Sequence, residues 1–340
     1  MDIKELDTNA AAMVARGKGI LAADESTGTI KKRFDKIGLE SSFETRRAYR
    51  ELLFTAPEAD KYISGVILYD ETIRQQTAGG KPFPQLLAER GILPGIKVDA
   101  GAKAMAGFPG ETVTEGLDGL RERLAEYRAL GARFAKWRAV IDIGAGIPTR
   151  ACIAANAEAL ARYAALCQEA TIVPIVEPEV LMDGDHGIER CEEVTDAVLE
   201  TVFDVLFLHR VRLEGMVLKP NMVIAGKKCA RQARPEQVAE ATVRCLLRRV
   251  PAAVPGIAFL SGGQSESDAT LHLSLMNRGR KLPWELSFSY GRALQQSTLD
   301  AWQGKPANVA AGQRAFLKRA RLNGLARDGG YESAMEQAAA

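Results

Sequence analysis

The chain has 340 residues, 46% hydrophobic and 26% charged, a composition that supports a large buried core in an ordinary globular protein. Its 45 basic and 43 acidic residues leave a formal net charge of +2, which gives no electrostatic reason to expect nucleic acid or an anionic membrane as partner. Five scattered cysteines favour reduced thiols, the start has no apolar signal core, and no stretch approaches the roughly 20 apolar residues of a membrane span, so a cytoplasmic protein is expected.

Short β-like runs then alternate with amphipathic helical patterns along the chain. Strands are predicted at 19–23, 63–69, 95–98, 134–140, 171–176, 216–219, 256–260 and 285–288. Between them the period changes. Leu117, Leu120, Leu124 and Tyr127 step by three or four, Val194, Val198, Val202 and Val205 mark a second stripe, and Val238, Val243, Leu246 and Leu247 belong to a third. Strand followed by helix, repeated eight times, predicts a parallel sheet with right-handed crossovers, closed as a single α/β (β/α)8 TIM barrel over residues 1–330. No Pro-, Gly- or Ser-rich linker divides it. Beyond Gly329-Gly330 no stripe wide enough to pack remains, so residues 331–340 are expected to form a short mobile C-terminal tail.

In such barrels the active site forms at the C-terminal ends of the strands, and this sequence places a polar group at nearly every one. Strand one ends in Asp24-Glu25-Ser26, strand three in Lys97 and Asp99, and strand four carries Lys136 and Arg138. Strand five ends in Glu177-Pro178-Glu179, strand six in Lys219, strand seven in Ser261-Gly262-Gly263, and strand eight in Ser289-Tyr290-Gly291-Arg292. Each has a bland reading. Asp24 alone suits a helix cap, Glu177 and Glu179 beside a proline suit a solvated loop, and glycines after a strand usually serve a tight turn. Independent structural residues would not be expected to choose the same end of seven strands.

Lys219 closes an apolar run with no neighbouring acid in sequence, an expensive position for an ammonium without a chemical role. A lysine nucleophile must be neutral to attack a carbonyl, and its ordinary pKa of about 10.4 means that desolvation or a second cation must help. Lys136, two strands away and facing the same mouth, is the candidate second cation. Asp24, Glu177 and Glu179 then supply the proton transfers that making and breaking an imine requires. The glycine turns after strands seven and eight, with Arg292, suit one phosphate, and Lys32, Arg33, Lys97 and Arg138 suit another. His186, His209 and His272 show no metal-ligand spacing, so neither a catalytic metal nor a cofactor is expected.

These residues sit in motifs that resemble the class I, Schiff-base fructose-1,6-bisphosphate aldolases across essentially the whole chain to Tyr331. The motifs are the run from Gly17 to Gly28, Gly95-Ile96-Lys97-Val98-Asp99, Phe134-Ala135-Lys136-Trp137-Arg138, Ile175-Val176-Glu177-Pro178-Glu179, Leu218-Lys219-Pro220-Asn221, Leu260-Ser261-Gly262-Gly263-Gln264-Ser265 and Phe288-Ser289-Tyr290-Gly291-Arg292. The resemblance implies that Lys219 forms the imine, that Glu177 dehydrates the carbinolamine with Lys136 and Glu179 as close partners, and that Asp24 takes the C4 hydroxyl proton. It further implies that Ser261, Gly262, Gly291 and Arg292 bind the C1 phosphate, that Lys97, Arg138, Lys32 and Arg33 serve the C6 phosphate, and that Ser289 and Thr29 also belong to the substrate site. Thr29 stands where the family often has serine and retains the hydroxyl. Phosphorylated ketoses and trioses are the implied substrates and a homotetramer the implied assembly. An aldolase acting mainly on sedoheptulose 1,7-bisphosphate, a transaldolase-like enzyme and a non-catalytic scaffold remain as alternatives, with the two cationic clusters favouring a bisphosphate. Many relatives end in an active-site tyrosine, whereas this chain ends in three alanines.

Overall fold

The computed structural model describes residues 1–337. Eight parallel strands close into a barrel: β1 (Gly19–Ala23), β2 (Ile63–Leu68), β3 (Leu93–Lys97), β4 (Phe134–Ile141), β5 (Val173–Val180), β6 (Val217–Leu218), β7 (Gly256–Phe259) and β8 (Glu285–Tyr290). Each pairs with its sequence neighbours, and β1 closes on β8. The predicted barrel is the observed one.

The two-residue period of each strand separates inside from outside. On β4, Ala135, Trp137 and Ala139 pack outward against the helices, while Phe134, Lys136 and Arg138 face the barrel interior. On β5, Val176 and Val180 face outward, and Val173, Ile175, Glu177 and Glu179 face inward. The interior is therefore layered. Its lower half is apolar and is sealed by helix Ile3–Met13, whose Leu6, Ala10 and Met13 join Ile20, Ile67, Val173 and Val217 in one cluster. Sequence reading did not assign that helix. Phe134 fills the middle, and it needs glycine on the next two strands, β3 and β2: a Cβ on Gly95 would lie 2.2 Å from the ring and one on Gly65 2.9 Å. The ionisable groups that line the cleft lie in the upper half, so the cleft opens at the C-terminal strand ends.

Strand β5 runs four residues past its predicted end, which places Glu177 and Glu179 on a strand rather than in a solvated loop. Pro178 permits this for a specific reason. Its neighbours of the same parity turn their backbone groups toward β6: Val176 accepts from Lys219 N at 2.8 Å, and Val180 N donates to the Asn221 side chain at 3.0 Å. Because β6 ends at Leu218, no ladder partner on the β6 side faces Pro178, and its missing N–H breaks no ladder bond there. A hairpin of Ala102–Ala104 and Thr112–Thr114, absent from the sequence expectation, lies along β4, with Thr114 Oγ1 donating to Arg138 O at 2.8 Å.

The first residues of the expected tail are docked on the helices around the barrel. Tyr331 is fully buried, its hydroxyl donates to Glu336 Oε1 at 2.8 Å, and Glu336 also pairs with Arg319 at 2.5 Å. The anchor is one aromatic ring plus a charged cluster, which a search for an apolar stripe does not detect. The remaining tail residues, 338–340, lie outside the described residues.

Candidate active site

A cleft of about 660 Å³ opens at the C-terminal end of the barrel. Every site residue expected from the sequence lines it: Asp24, Thr29, Lys32, Arg33, Lys97, Lys136, Arg138, Glu177, Glu179, Lys219, Ser261, Gly262, Ser289, Gly291 and Arg292.

At its floor four ionisable groups form a chain. Lys219 Nζ lies 3.1 Å from Glu177 Oε1, Glu177 Oε2 lies 3.4 Å from Lys136 Nζ, and Lys136 Nζ lies 2.7 Å from Asp24 Oδ2. Lys219, Lys136 and Glu177 are all buried. The acid that the sequence around Lys219 lacks comes from the neighbouring strand. Burial opposes the Lys136 charge, but Asp24, Glu177 and Asp99 outweigh it and hold the ammonium well above the ordinary lysine pKa. Burial likewise pushes the Asp24 carboxyl up, yet Lys136 and then Lys219 outweigh it and hold Asp24 well below the usual carboxylate range. Lys136 is thus a fixed cation and Asp24 a fixed anion across neutral pH. Glu177 Oε2 is buried without a hydrogen bond among the described residues, with the Lys136 ammonium 3.4 Å away.

Higher in the cleft the expected cations are partly neutralised. Lys97 Nζ pairs with Asp99 Oδ1 at 2.8 Å, and Arg138 pairs with Glu179. Glu25, buried beside Asp24, joins Arg33 at 2.5 Å and Arg50 at 2.7 Å and accepts from Gln295 Nε2 at 2.9 Å. The Arg33, Arg50 and Glu25 cluster keeps one excess positive charge. Lys32 projects from helix Thr27–Asp35, which Ser26 caps by accepting from Thr29 N. Sequence reading missed Arg50 and Gln295 because both lie on helices behind the strand ends, and no pattern in their own segments marks them.

The opposite rim is built from backbone. Ser261-Gly262-Gly263 follows β7, and Gly291 precedes helix Arg292–Trp302, so a helix N-terminus with unpaired N–H groups faces the cleft beside the Arg292 side chain. The Met182 side chain packs closely on the first turn, and Gly263, at φ +77°, leaves no room for a side chain. A Cβ on Gly262 would lie 2.7 Å from Met182 Cε, and one on Gly263 2.2 Å from Met182 Cγ. This is an anion site of the kind barrels place after strands seven and eight. Among the described residues no group of three or more His, Cys, Asp or Glu is placed to hold a metal.

Comparison with known proteins identifies the family. Residues 5–340 match the family model for class I fructose-bisphosphate aldolase. The chain is 60% identical over 327 residues to a probable class 1 fructose-bisphosphate aldolase of Xanthomonas campestris, covering 96% of this chain and 98% of the relative. It is 57% identical over 330 residues to a cytosolic fructose-bisphosphate aldolase of Arabidopsis thaliana, covering 96% and 84%. Among solved structures, the fructose-bisphosphate aldolase of Plasmodium falciparum, crystallised with TRAP and a small-molecule inhibitor, superposes with a TM-score of 0.96 at 52% identity, over 97% of this chain and 96% of that one.

Proposed function

The chain belongs to the class I fructose-bisphosphate aldolase family, and from that premise we propose how its own residues divide the work of cleaving fructose 1,6-bisphosphate reversibly to dihydroxyacetone phosphate and glyceraldehyde 3-phosphate. Lys219 attacks the C2 carbonyl, forming a carbinolamine. Glu177 protonates the departing hydroxyl, and water leaves as the imine forms. Asp24 then takes the proton of the C4 hydroxyl, the C3–C4 bond breaks, and its electron pair moves into the imine to give an enamine while the aldehyde departs. Protonation at C3, by Glu179 or a water in the cleft, and hydrolysis release the ketone phosphate and restore Lys219.

The observation that carries this reading is the unbroken sequence Lys219, Glu177, Lys136, Asp24 at 3.1, 3.4 and 2.7 Å. Lys136 sits between the two carboxylates, so it keeps Asp24 ionised for its role as base while a separate acid serves the imine. Asp24→Asn is expected to retain borohydride trapping of the ketone phosphate at Lys219 yet lower cleavage about 100-fold or more, the ordinary share of a general base. Loss of trapping in a folded Asp24→Asn protein would show that this division of roles is wrong.

The two phosphates are assigned to opposite rims: C1 to Ser261, Gly262, Ser289, Gly291 and Arg292, and C6 to Lys97, Arg138, Lys32, Arg33 and Thr29. Support comes from the backbone N–H groups on one side and the excess cations on the other. Residues 1–330 are assigned to one catalytic domain and 331–340 to an appendage. A homotetramer is further inferred, with the exposed Phe207, Leu208 and Leu247 on adjacent helices as candidate contact residues. Among the described residues no helix is long and apolar enough to cross a membrane, and with cytosolic relatives this supports a cytoplasmic enzyme.

Tyr331 does not line the cleft, and its hydroxyl is engaged by Glu336. Tyr331→Phe should therefore leave bisphosphate turnover within about a factor of two. Stability should fall by about 1–3 kcal/mol through the lost bond to a carboxylate, read from chemical denaturation. A tenfold fall in turnover with the fold intact would give Tyr331 a catalytic part.

A further inference from the structure

The turn after β7 is held from behind by a buried pair that the chemistry above does not use. Gln264, the last residue of the turn, is 7% exposed, and His272, in the second turn of helix Glu266–Asn277, is 8% exposed. His272 Nδ1 lies 2.6 Å from Gln264 Oε1. The backbone of the same glutamine makes two further connections. Its N–H donates to Ser261 O at 3.3 Å, closing the turn around Gly262 and Gly263, and its C=O accepts from Arg292 Nη2 at 3.1 Å. One residue thus joins the glycine turn on one strand end to the guanidinium on the next.

Gly263 has a left-handed backbone, φ +77°, and the turn carries no side chain of its own between Ser261 and Gln264. Its shape depends on what pins its ends. Ser265 fixes the far side as helix N-cap, accepting from Asp268 N at 3.1 Å. On the near side the side-chain anchor is the amide of Gln264. Burial pushes the His272 imidazole down to about 4, against weaker opposing effects of Asp268 and Glu236, so the ring is neutral at physiological pH. With the amide oxygen as acceptor, Nδ1 carries the ring proton. A neutral donor holds the turn in place without adding a charge beside the bound phosphate.

We propose that His272 and Gln264 form a positioning unit for the C1 phosphate, holding the Ser261–Gly263 backbone and the Arg292 side chain in one fixed geometry. The proposal rests on the assignment of the C1 phosphate to this rim. Neither residue touches the substrate; both act through the turn. The effect therefore falls on phosphate affinity rather than on the chemistry at Lys219.

The test uses His272→Leu and Gln264→Leu, each of which fills the site without a hydrogen bond, together with the double variant and Arg292→Ala. Measured quantities are KM and kcat for fructose 1,6-bisphosphate, inhibition by inorganic phosphate, and thermal stability. Each leucine variant is expected to raise KM and weaken phosphate inhibition by about fivefold to tenfold, the size of one hydrogen bond, with a smaller change in kcat. The double variant should be no worse than the worse single one, because both remove the same link. His272→Asn, which can still donate, should recover part of the loss. Lowered stability with unchanged KM and phosphate inhibition would overturn the proposal and leave the pair a purely structural contact. Additive losses in the double variant would overturn it as well. If Arg292→Ala also leaves phosphate inhibition unchanged, the rim does not bind the phosphate, and the underlying assignment falls together with the positioning role.

Discussion

Lys219→Met is expected to lower turnover of fructose 1,6-bisphosphate by on the order of 10^5-fold while leaving the barrel folded, a loss equivalent to about 7 kcal/mol of transition-state stabilisation. The reason is that every later step depends on the imine. Without it, the electrons of the breaking C3–C4 bond have no acceptor, and neither Asp24 nor Glu177 can substitute. Stability should fall as well, because Lys219 is 4% exposed and its loss breaks the buried pair with Glu177 at 3.1 Å, at a cost of about 3–5 kcal/mol unless the carboxylate takes up a proton. Glu177 keeps Lys136 3.4 Å away, which limits that cost. Steady-state assay and thermal melting separate the two effects. Residual turnover within 100-fold of the parent enzyme would mean that another amine forms the intermediate.

Lys136→Met is expected to be nearly as damaging, with kcat reduced by on the order of 10^3-fold, but for an electrostatic reason. The ammonium lies 2.7 Å from Asp24 and 3.4 Å from Glu177, and removing it leaves two carboxylates at the floor of the cleft with only Lys219 to balance them. Breaking a buried pair costs about 3–5 kcal/mol unless a carboxylate takes up a proton. Asp24 is the group that will. In the parent enzyme burial pushes its carboxyl up, and Lys136, Lys219 and Lys97 together outweigh that; without Lys136 the first of these opposing charges is lost, and the carboxyl moves back upward. A protonated Asp24 cannot accept the C4 hydroxyl proton. The variant should therefore lose activity more steeply than the parent as pH falls and regain part of it as pH rises. The pH profile of kcat for both proteins, with melting temperature at each pH, checks this. A Lys136→Met enzyme within tenfold of the parent and with the same profile would remove Lys136 from the mechanism.

The barrel and the floor of its cleft were legible in the sequence because both follow from strand periodicity. Lys136 falls within a predicted strand and Glu177 and Glu179 just after the end of another, so both groups were placed at the C-terminal mouth, while the inward face of the two carboxylates became visible only with the longer strand. What the sequence did not reveal depends on contacts between distant segments. Helix Ile3–Met13 seals the barrel because its Leu6 and Ala10 meet Ile20 and Val217, and nothing within residues 3–13 marks the partner. The far end of β5 was hidden by Pro178, normally a reason to end a strand, which is harmless here only because β6 is two residues long. The docked segment from Tyr331 to Glu336 was missed because its anchors, Arg319 and Lys318, are on helix Val309–Arg327 and are polar. In the cleft, the pairing of Lys97 with Asp99 and of Arg138 with Glu179 shows that the cations expected to meet the C6 phosphate begin paired to carboxylates. Their contribution to binding is then an exchange of partners rather than the capture of a phosphate by free charges.

The most direct measurement is borohydride reduction of the native enzyme with dihydroxyacetone phosphate, followed by proteolysis and mass spectrometry of the adduct. Reduction should inactivate the enzyme with one equivalent of the reduced ketone phosphate bound per chain, on the peptide that contains Lys219, and Lys219→Met should take up none. An adduct on Lys136, Lys97 or any other lysine, or full activity retained after exhaustive reduction in the presence of the ketone, would contradict the assignment of Lys219 as the imine-forming residue.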